Sequence, residues 1–415
     1  MSAADVANSA ALERIAKSEP ILVDLLPAGD VIAQLGDTEM LHAGPPLGGW
    51  AEACGPLRGA IIGTLLHYGW AESVTEAEPI ASSDKYRLRA AADYHALATY
   101  AGVITRQTMV FVVENRSAGV RAFAAINEGR GKALRYGCND AATLSRLAWL
   151  EGEFAEILGK AIRDAGGINI FDLLAQALHM GDDGHSRHKA ASALFANAVA
   201  PCVAESGFGS QANGRVLKFL TETDIFFLPL TMAAAKSTMI SAEGIPECTI
   251  ITAMAANGVR WGIQVSGRQG EWFTAPVPPI EGQYFQGFSS VDASPVIGDS
   301  EIAETSGLGA FAMAAAPALA RYVGGSPELA RKMSMQMYDI TLAEHPSFTI
   351  PYLDYRGTPM GIDLRRVVET GVTPVFNTGI AHNTAGVGQI GAGYGRVPLS
   401  CCTAALEAVQ SASSC

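Results

Sequence analysis

Residues Gly361–Arg396, GIDLRRVVETGVTPVFNTGIAHNTAGVGQIGAGYGR, join a short helix, a strand and a glycine-rich run. Asp363 is spaced to cap a helix over 364–370, with Arg365 and Arg366 in its first turn and Gly371 as its stop. Thr373–Phe376 predicts a short strand running into Asn377-Thr378-Gly379, a turn that brings polar groups to a strand end. Between Gly379 and Gly395 stand six glycines in seventeen residues, interleaved with His382, Asn383 and Gln389. Glycine lets backbone N–H groups approach a ligand closely. The run is therefore expected to be a loop that either closes tightly between packed elements or holds an anion or carbonyl. The candidate groups are Arg365 or Arg366, Asn377, Gly379, His382, Gln389 and Gly391.

Upstream, Met109–Glu114 and Val120–Ile126 form a probable hairpin across Asn115–Gly119. The second strand discharges into Asn127-Glu128-Gly129-Arg130-Gly131-Lys132, followed by a helix expected from Ala133. Strand, glycines, basic residues and a helix N-terminus suit an oxyanion, with Asn127, Glu128 and Arg130 as candidates; a basic surface turn is the alternative. The Walker pattern is absent. From Asp140 to about Ser241 the periodicity is helical. Within that block, residues 179–188 hold His179, His185 and His188 with Asp182 and Asp183. Glycines 181 and 184 break the helix that would align them on a metal, so no metal is assigned. His185 facing a cleft beside an anion-gripping Arg187, or plain capping, are the readings left open. Asp299 and Glu304 bracket a loop-to-helix junction and suit general acid–base work or capping. Small-residue and Met-rich stretches, Ala310–Ala320 and Pro327–His345, are expected as helices.

The 415 residues suffice for two or three domains with real cores. The expected class is α+β, multi-domain, with two α/β parts and an inserted mainly helical domain. Its boundaries are 1–139, 140–245 and 246–415, the last carrying the glycine-rich run. A net charge of −12 argues against nucleic acid or an anionic membrane surface as partner. No apolar stretch is long enough to span a bilayer, and the N-terminus has no signal pattern. Seven cysteines without CxxC or ligand spacing suggest free thiols in a reducing, cytoplasmic setting. There is no GxSxG, no GxGxxG after a strand and no internal repeat, and no cofactor is expected.

Several motifs together carry a resemblance: Leu41–Pro46, Ile126–Gly129, Thr274–Val277, Gly298–Ser300, Asp363–Gly371, Asn377–His382 and Gly388–Gly393. In this order the chain resembles, over nearly its whole length, the YlbE-like family, which includes a subunit of bacterial oxamate carbamoyltransferase. The resemblance implies phosphorolysis of a ureido compound to carbamoyl phosphate, or the reverse transfer. It also implies phosphate or carbamoyl phosphate as co-substrate, an acyl-CoA-synthetase-like partner subunit and a homo-oligomer. The alternatives are a C–N hydrolase of a ureido or cyclic amide compound, or a non-catalytic subunit. On physical grounds His382, His185, Asp299 and Glu304 are the candidate catalytic groups. One loop departs from the family pattern, roughly His-His-x-Asn-x-x-Gly-Pro-Met, where this chain has Ala92–Tyr100. His95 joins the candidate substrate-binding set. Asp93 in that loop is expected to repel a carboxylate substrate, which would make oxamate or oxalurate a poor substrate.

Overall fold

The computed structural model describes residues 2–83, 85–323 and 325–412. Met1, Asp84, Gly324 and residues 413–415, and with them the cysteine at 415, lie outside the described residues. The other six cysteines are unpaired thiols.

The apolar run Pro20–Pro27 becomes an interior strand of a five-stranded sheet ordered Ala96–Leu97, Val120–Ala125, Met109–Asn115, Pro20–Pro27, Ile168–Asn169. The expected hairpin forms, with Val110 opposite Ala125 and Glu114 opposite Arg121. Helices cover the sheet: Ala155–Asp164 lies on Pro20–Pro27, and Leu228–Ser241 lies on both hairpin strands. The latter helix is buried on nearly every side, which its run of alanines, methionines and small hydroxyl residues allows. Its Lys236 is buried with its charge on Glu243 at 3.0 Å. Phe111, Phe154, Phe195 and Phe226 meet at the sheet–helix boundary in edge-on and stacked pairs.

The block after Asp140 is helical as expected, with two differences. Ile168–Asn169 serves as the sheet's edge strand. The first helical run after Asp140 is interrupted by a π turn at Leu150–Phe154, where Gly152 leaves helical geometry.

The C-terminal part holds a four-stranded sheet ordered Phe273–Pro276, Arg260–Val265, Ile251–Asn257, Ile297–Gly298, and two smaller sheets. Asp363 caps Leu364–Thr370 and Gly371 ends it at φ 68°. The glycine-rich run, however, is mostly not a loop. Val375–Ala381 and Gln389–Arg396 form an antiparallel hairpin, and Glu281–Tyr284 adds a third strand. The expected turn at Asn377–Gly379 lies inside the first strand. Close packing explains the glycines: a Cβ at Gly391 would stand 2.4 Å from the Gln283 carbonyl oxygen, and one at Gly393 2.3 Å from that of Glu281.

The expected helix over Ala310–Ala320 is a 3₁₀ segment, Gly309–Ala315, and a new helix from Pro317. Pro317 lacks an N–H and forces Ala316 out of helical geometry. The Met-rich helix ends at Ile340, and Thr341–Ile350 is a strand paired with Arg356–Ile362. The whole is a mixed α+β architecture built on several small sheets.

Since Gly391 and Gly393 are packing positions, Gly393→Ala should lower unfolding free energy by about 1–3 kcal/mol through overpacking. Urea denaturation checks this; unchanged stability with lost ligand binding would restore the ligand-contact reading.

Candidate functional site

Glu304 sits on the four-residue helix Ile302–Thr305 and is fully buried. Its Oε1 accepts from the Nδ1 of His185 at 2.8 Å, the N–H of Ala310 at 3.0 Å and the N–H of Asn377 at 3.1 Å. One carboxylate thus fastens the histidine-rich turn, the 3₁₀ segment and the C-terminal hairpin. Gly309 makes room for it, since a Cβ there would lie 2.3 Å from Oε1.

Burial disfavours charge on His185. The Glu304 carboxylate more than offsets this by charge and hydrogen bond, Glu301 and Asp183 add to it, and the imidazole is raised to about 9. At neutral pH His185 is therefore an imidazolium that gives Nδ1–H to Glu304 and keeps Nε2–H as a second donor. The turn carrying it is stiffened by Asp183, which accepts from the N–H groups of His185 at 3.0 Å and Arg187 at 2.9 Å, and from the Asn377 amide at 2.8 Å. Asp182 accepts from the N–H of Ala191 at 2.8 Å, and burial raises it to about 7. Burial first, then the positive charges of His185 and Arg130, hold His188 neutral, down to about 3. The motif's carboxylates are spent on backbone and amide donors, and among the described residues no three His, Cys, Asp or Glu side chains converge as a metal-ligand set.

A second buried carboxyl shapes the loop at 92–100. Asp299 accepts from the N–H groups of Ala98 at 2.6 Å and Thr99 at 3.1 Å, and burial raises it to about 7 despite them. Thr99 and Tyr100 both take left-handed backbone geometry, φ 56° and 59°. That is costly for a β-branched residue, and it is held by Asp299 and by the Tyr100 hydroxyl accepting from the N–H of Ala381 at 2.9 Å. Glu301 is fully buried, and its oxygens find no hydrogen-bond partner in another of the described residues. Burial raises it to about 8, with the His185 charge opposing.

These elements meet at a cleft lined by Thr99, Tyr100, Arg130, Arg135, Tyr136, His185, Ser186, Ser300, Thr378, Gly379 and Gln389, with Ile225, Leu228 and Ala392 as its apolar part. Arg130, Arg135 and His185 face it, and among the described residues no carboxylate does. Arg130 donates to the Ser186 carbonyl at 3.2 Å; Arg135 donates to the Gly129 carbonyl at 2.7 Å and lies over the Tyr136 ring. Gln389 donates to the Gly391 carbonyl at 3.1 Å, and its buried Oε1 has no partner. The cleft thus offers positive charge for an anion and an amide acceptor for an N–H.

Of the residues singled out from sequence, His185, Arg130, Gly379 and Gln389 line this cleft, with Glu304, Asn377 and Asp299 directly behind it. The others lie elsewhere. His382 sits half-buried at the hairpin end, accepting from the N–H of Thr384 at 2.9 Å with its ring against Phe288. Arg365 is held by Asp363 at 2.9 Å and Asp5 at 2.8 Å, and Arg366 donates to the Thr341 carbonyl. Arg187 lies beside Asp182 at 3.5 Å. Gly391 is a strand-packing position. Asn127 donates to the Ile225 carbonyl at 2.6 Å and accepts from the N–H of Gly129.

The expected oxyanion recipe after Val120–Ala125 is satisfied by the chain itself. Glu128 accepts from the N–H groups of Leu134 at 2.8 Å and Arg135 at 3.1 Å, and only a 3₁₀ turn, Leu134–Tyr136, follows. His95 and Asp93 lie off the cleft, near Lys236 and Glu243, so the expected repulsion of a carboxylate substrate lacks the necessary proximity. Sequence reading missed Arg135, Tyr136 and Glu301, whereas Thr99 and Tyr100 belong to the departing loop Ala92–Tyr100. An Arg-Tyr pair just past a glycine turn was the one available signal.

Glu301 titrates near 8 in the fold against 4.5 in an ordinary setting. Its contribution to stability is full below pH 4.5 and is lost as pH rises through 8. Glu301→Gln should therefore gain stability over the unmodified chain progressively between about pH 4.5 and 8 and keep that gain above it, read by urea unfolding. A pH-independent difference would show that Glu301 ionises normally.

The family described as oxamate carbamoyltransferase subunit AllG matches residues 86–300. The Escherichia coli (strain K12) protein of that name is 42% identical over 406 residues, covering 97% of each chain. A second protein of that strain, uncharacterized protein YahG, is 40% identical over 95% of this chain and 84% of its own. The crystal structure of a conserved protein of unknown function from Enterococcus faecalis V583 superposes with a TM-score of 0.96 at 38% identity, covering 98% of both chains. With such identity along nearly its full length, the chain belongs to the family of the oxamate carbamoyltransferase subunit AllG.

Proposed function

We propose that the chain is a catalytic subunit of a carbamoyltransferase, and that the cleft around His185 exchanges a carbamoyl group between a ureido acid and phosphate. The observation that carries this is the His185 Nδ1–Glu304 pair, buried and 2.8 Å apart, set beside Arg130 and Arg135 in a cleft that no carboxylate among the described residues lines. In phosphorolysis a phosphate oxygen attacks the carbamoyl carbon, a C–O bond forms, and the C–N bonding pair leaves on nitrogen. That nitrogen is a poor leaving group unless it takes a proton. His185 supplies the proton from Nε2 and recovers it in the reverse direction. Arg130 and Arg135 balance the charge of phosphate and substrate carboxylate, as preset donors do. Gln389 Oε1 accepts from the ureido N–H on the anionic half of the substrate, the nitrogen that departs. Asp299, Glu304 and Asn377 act by holding the cleft's backbone and His185 in place.

The related subunit's name supports a complex, so turnover is expected to need partner subunits, one of them acyl-CoA-synthetase-like. Oxamate and oxalurate return as candidate substrates, since Asp93 is not at the cleft. The unpaired cysteines fit a cytoplasmic setting. The C–N hydrolase reading would need an activated water, and the turn at 182–188 offers it no converging ligand set.

A coupled assay with carbamoyl phosphate, oxamate and a panel of ureido acids, with and without partner subunits, tests the proposal. His185→Gln should lower kcat by about 10²- to 10⁴-fold, the range of positioned proton transfer, whereas His382→Ala should stay near the original rate. Full activity of His185→Gln would leave only the scaffolding-subunit reading.

A further inference from the structure

A second enclosed space lies behind the cleft, and Thr99 and Arg135 line both. Its wall is made by Thr64, His67, Tyr68, Thr108, Glu128 and Glu151, with apolar residues between them. Glu151 stands on the π turn that interrupts the helix after Asp140. Such turns recur at functional sites because the extra residue redirects a side chain. Its carboxylate accepts from His67 Nε2 at 2.7 Å and from the Tyr68 hydroxyl at 3.0 Å. The Met109 N–H also reaches it at 3.4 Å, and since a carboxylate offers about four acceptor positions Glu151 can still receive one more N–H.

Two buried donors on this wall have no partner among the described residues. Thr64, 2% exposed, leaves its hydroxyl unbonded, although a helical threonine ordinarily returns its hydroxyl to a carbonyl one turn earlier. Arg135, 4% exposed, leaves Nε unbonded. Buried polar groups are rarely left so unless something else meets them. The chamber encloses about 40 Å³, which limits it to roughly three waters or a molecule of a few heavy atoms.

We propose that this inner chamber is a binding subsite for a small planar carboxamide or carbamate group. The oxygen would be taken by the Thr64 hydroxyl and Arg135 Nε, and the N–H by Glu151. The inference rests on the cleft reading in one respect: the shared Thr99–Arg135 wall makes the chamber the place where the carbamoyl end of a substrate lodges while its anionic end stays with Arg130. Phosphate and carboxylate are disfavoured in the chamber because Glu128 and Glu151 both line it.

The test uses the full chain, acetamide as probe and the ¹³C-methyl resonance of Met109, which lines the chamber, as the reporter. Inorganic phosphate is titrated separately as the probe of the outer cleft. Acetamide should shift Met109 and bind the unmodified chain and Thr64→Ser alike, yet bind the isosteric Thr64→Val about tenfold more weakly for the lost hydrogen bond. Thr64→Leu, which fills the chamber, should abolish acetamide binding. Phosphate affinity should be the same in all four proteins, and near-ultraviolet circular dichroism confirms that each is folded. Failure of acetamide to bind the unmodified chain, or equal binding to Thr64→Val and Thr64→Leu, overturns the inference whatever phosphate does. Acetamide binding that follows Thr64, in a chain that ignores phosphate, upholds the chamber and counts against the cleft reading alone.

Discussion

The buried carboxylate of Glu304 is the constraint on which the site depends. It receives one ring N–H and two backbone N–H groups from segments far apart in sequence, and no water is needed to satisfy it. Burying a carboxylate is expensive unless it is paired and hydrogen-bonded. Here each donor also fixes a segment: the turn at 183–187, the 3₁₀ run from Gly309 and the hairpin strand at Asn377. Removing the charge would leave His185 buried without a counter-ion and loosen all three at once.

The same economy of position governs the rest of the cleft. Asp299, Glu301 and Asp182 are carboxyls that burial raises to about 7 or 8, so near neutral pH Glu301 is mostly uncharged and the two aspartates are only partly charged beside the anion-seeking face of Arg130, Arg135 and His185. Asp299 uses its oxygens to hold two consecutive left-handed residues, Thr99 and Tyr100, at the cleft wall. Strain of order 1–3 kcal/mol per residue persists only where neighbours over-determine it. The Tyr100 hydroxyl, taken by the N–H of Ala381, is the second restraint.

Local chemistry was legible in the sequence, whereas long-range pairing was not. The Asp363 cap, its Gly371 stop, the hairpin at 109–125 and most helices follow from spacing within a few residues. The glycine run misled because its abundance suggests a loop, while the alternation of Gly391, Gly393 and Gly395 is the period of a strand. Arg365 looked free because Asp5, its partner, stands at the opposite end of the sequence. Glu128 looked like a ligand contact because nothing local shows that its own carboxylate fills the nest formed after it. His185 and Glu304 were each singled out, but their meeting across 119 positions belongs to the fold.

The most direct measurement is the ¹⁵N spectrum of the histidine rings as a function of pH, with and without inorganic phosphate. His185 should remain an imidazolium through pH 8, with a midpoint near 9 in place of the ordinary 6.5. Phosphate should shift its Nε2 signal while leaving that of His382 in place. A midpoint at or below 6.5, or an Nε2 signal indifferent to phosphate, would contradict a proton-bearing His185 at the centre of an anion-binding cleft.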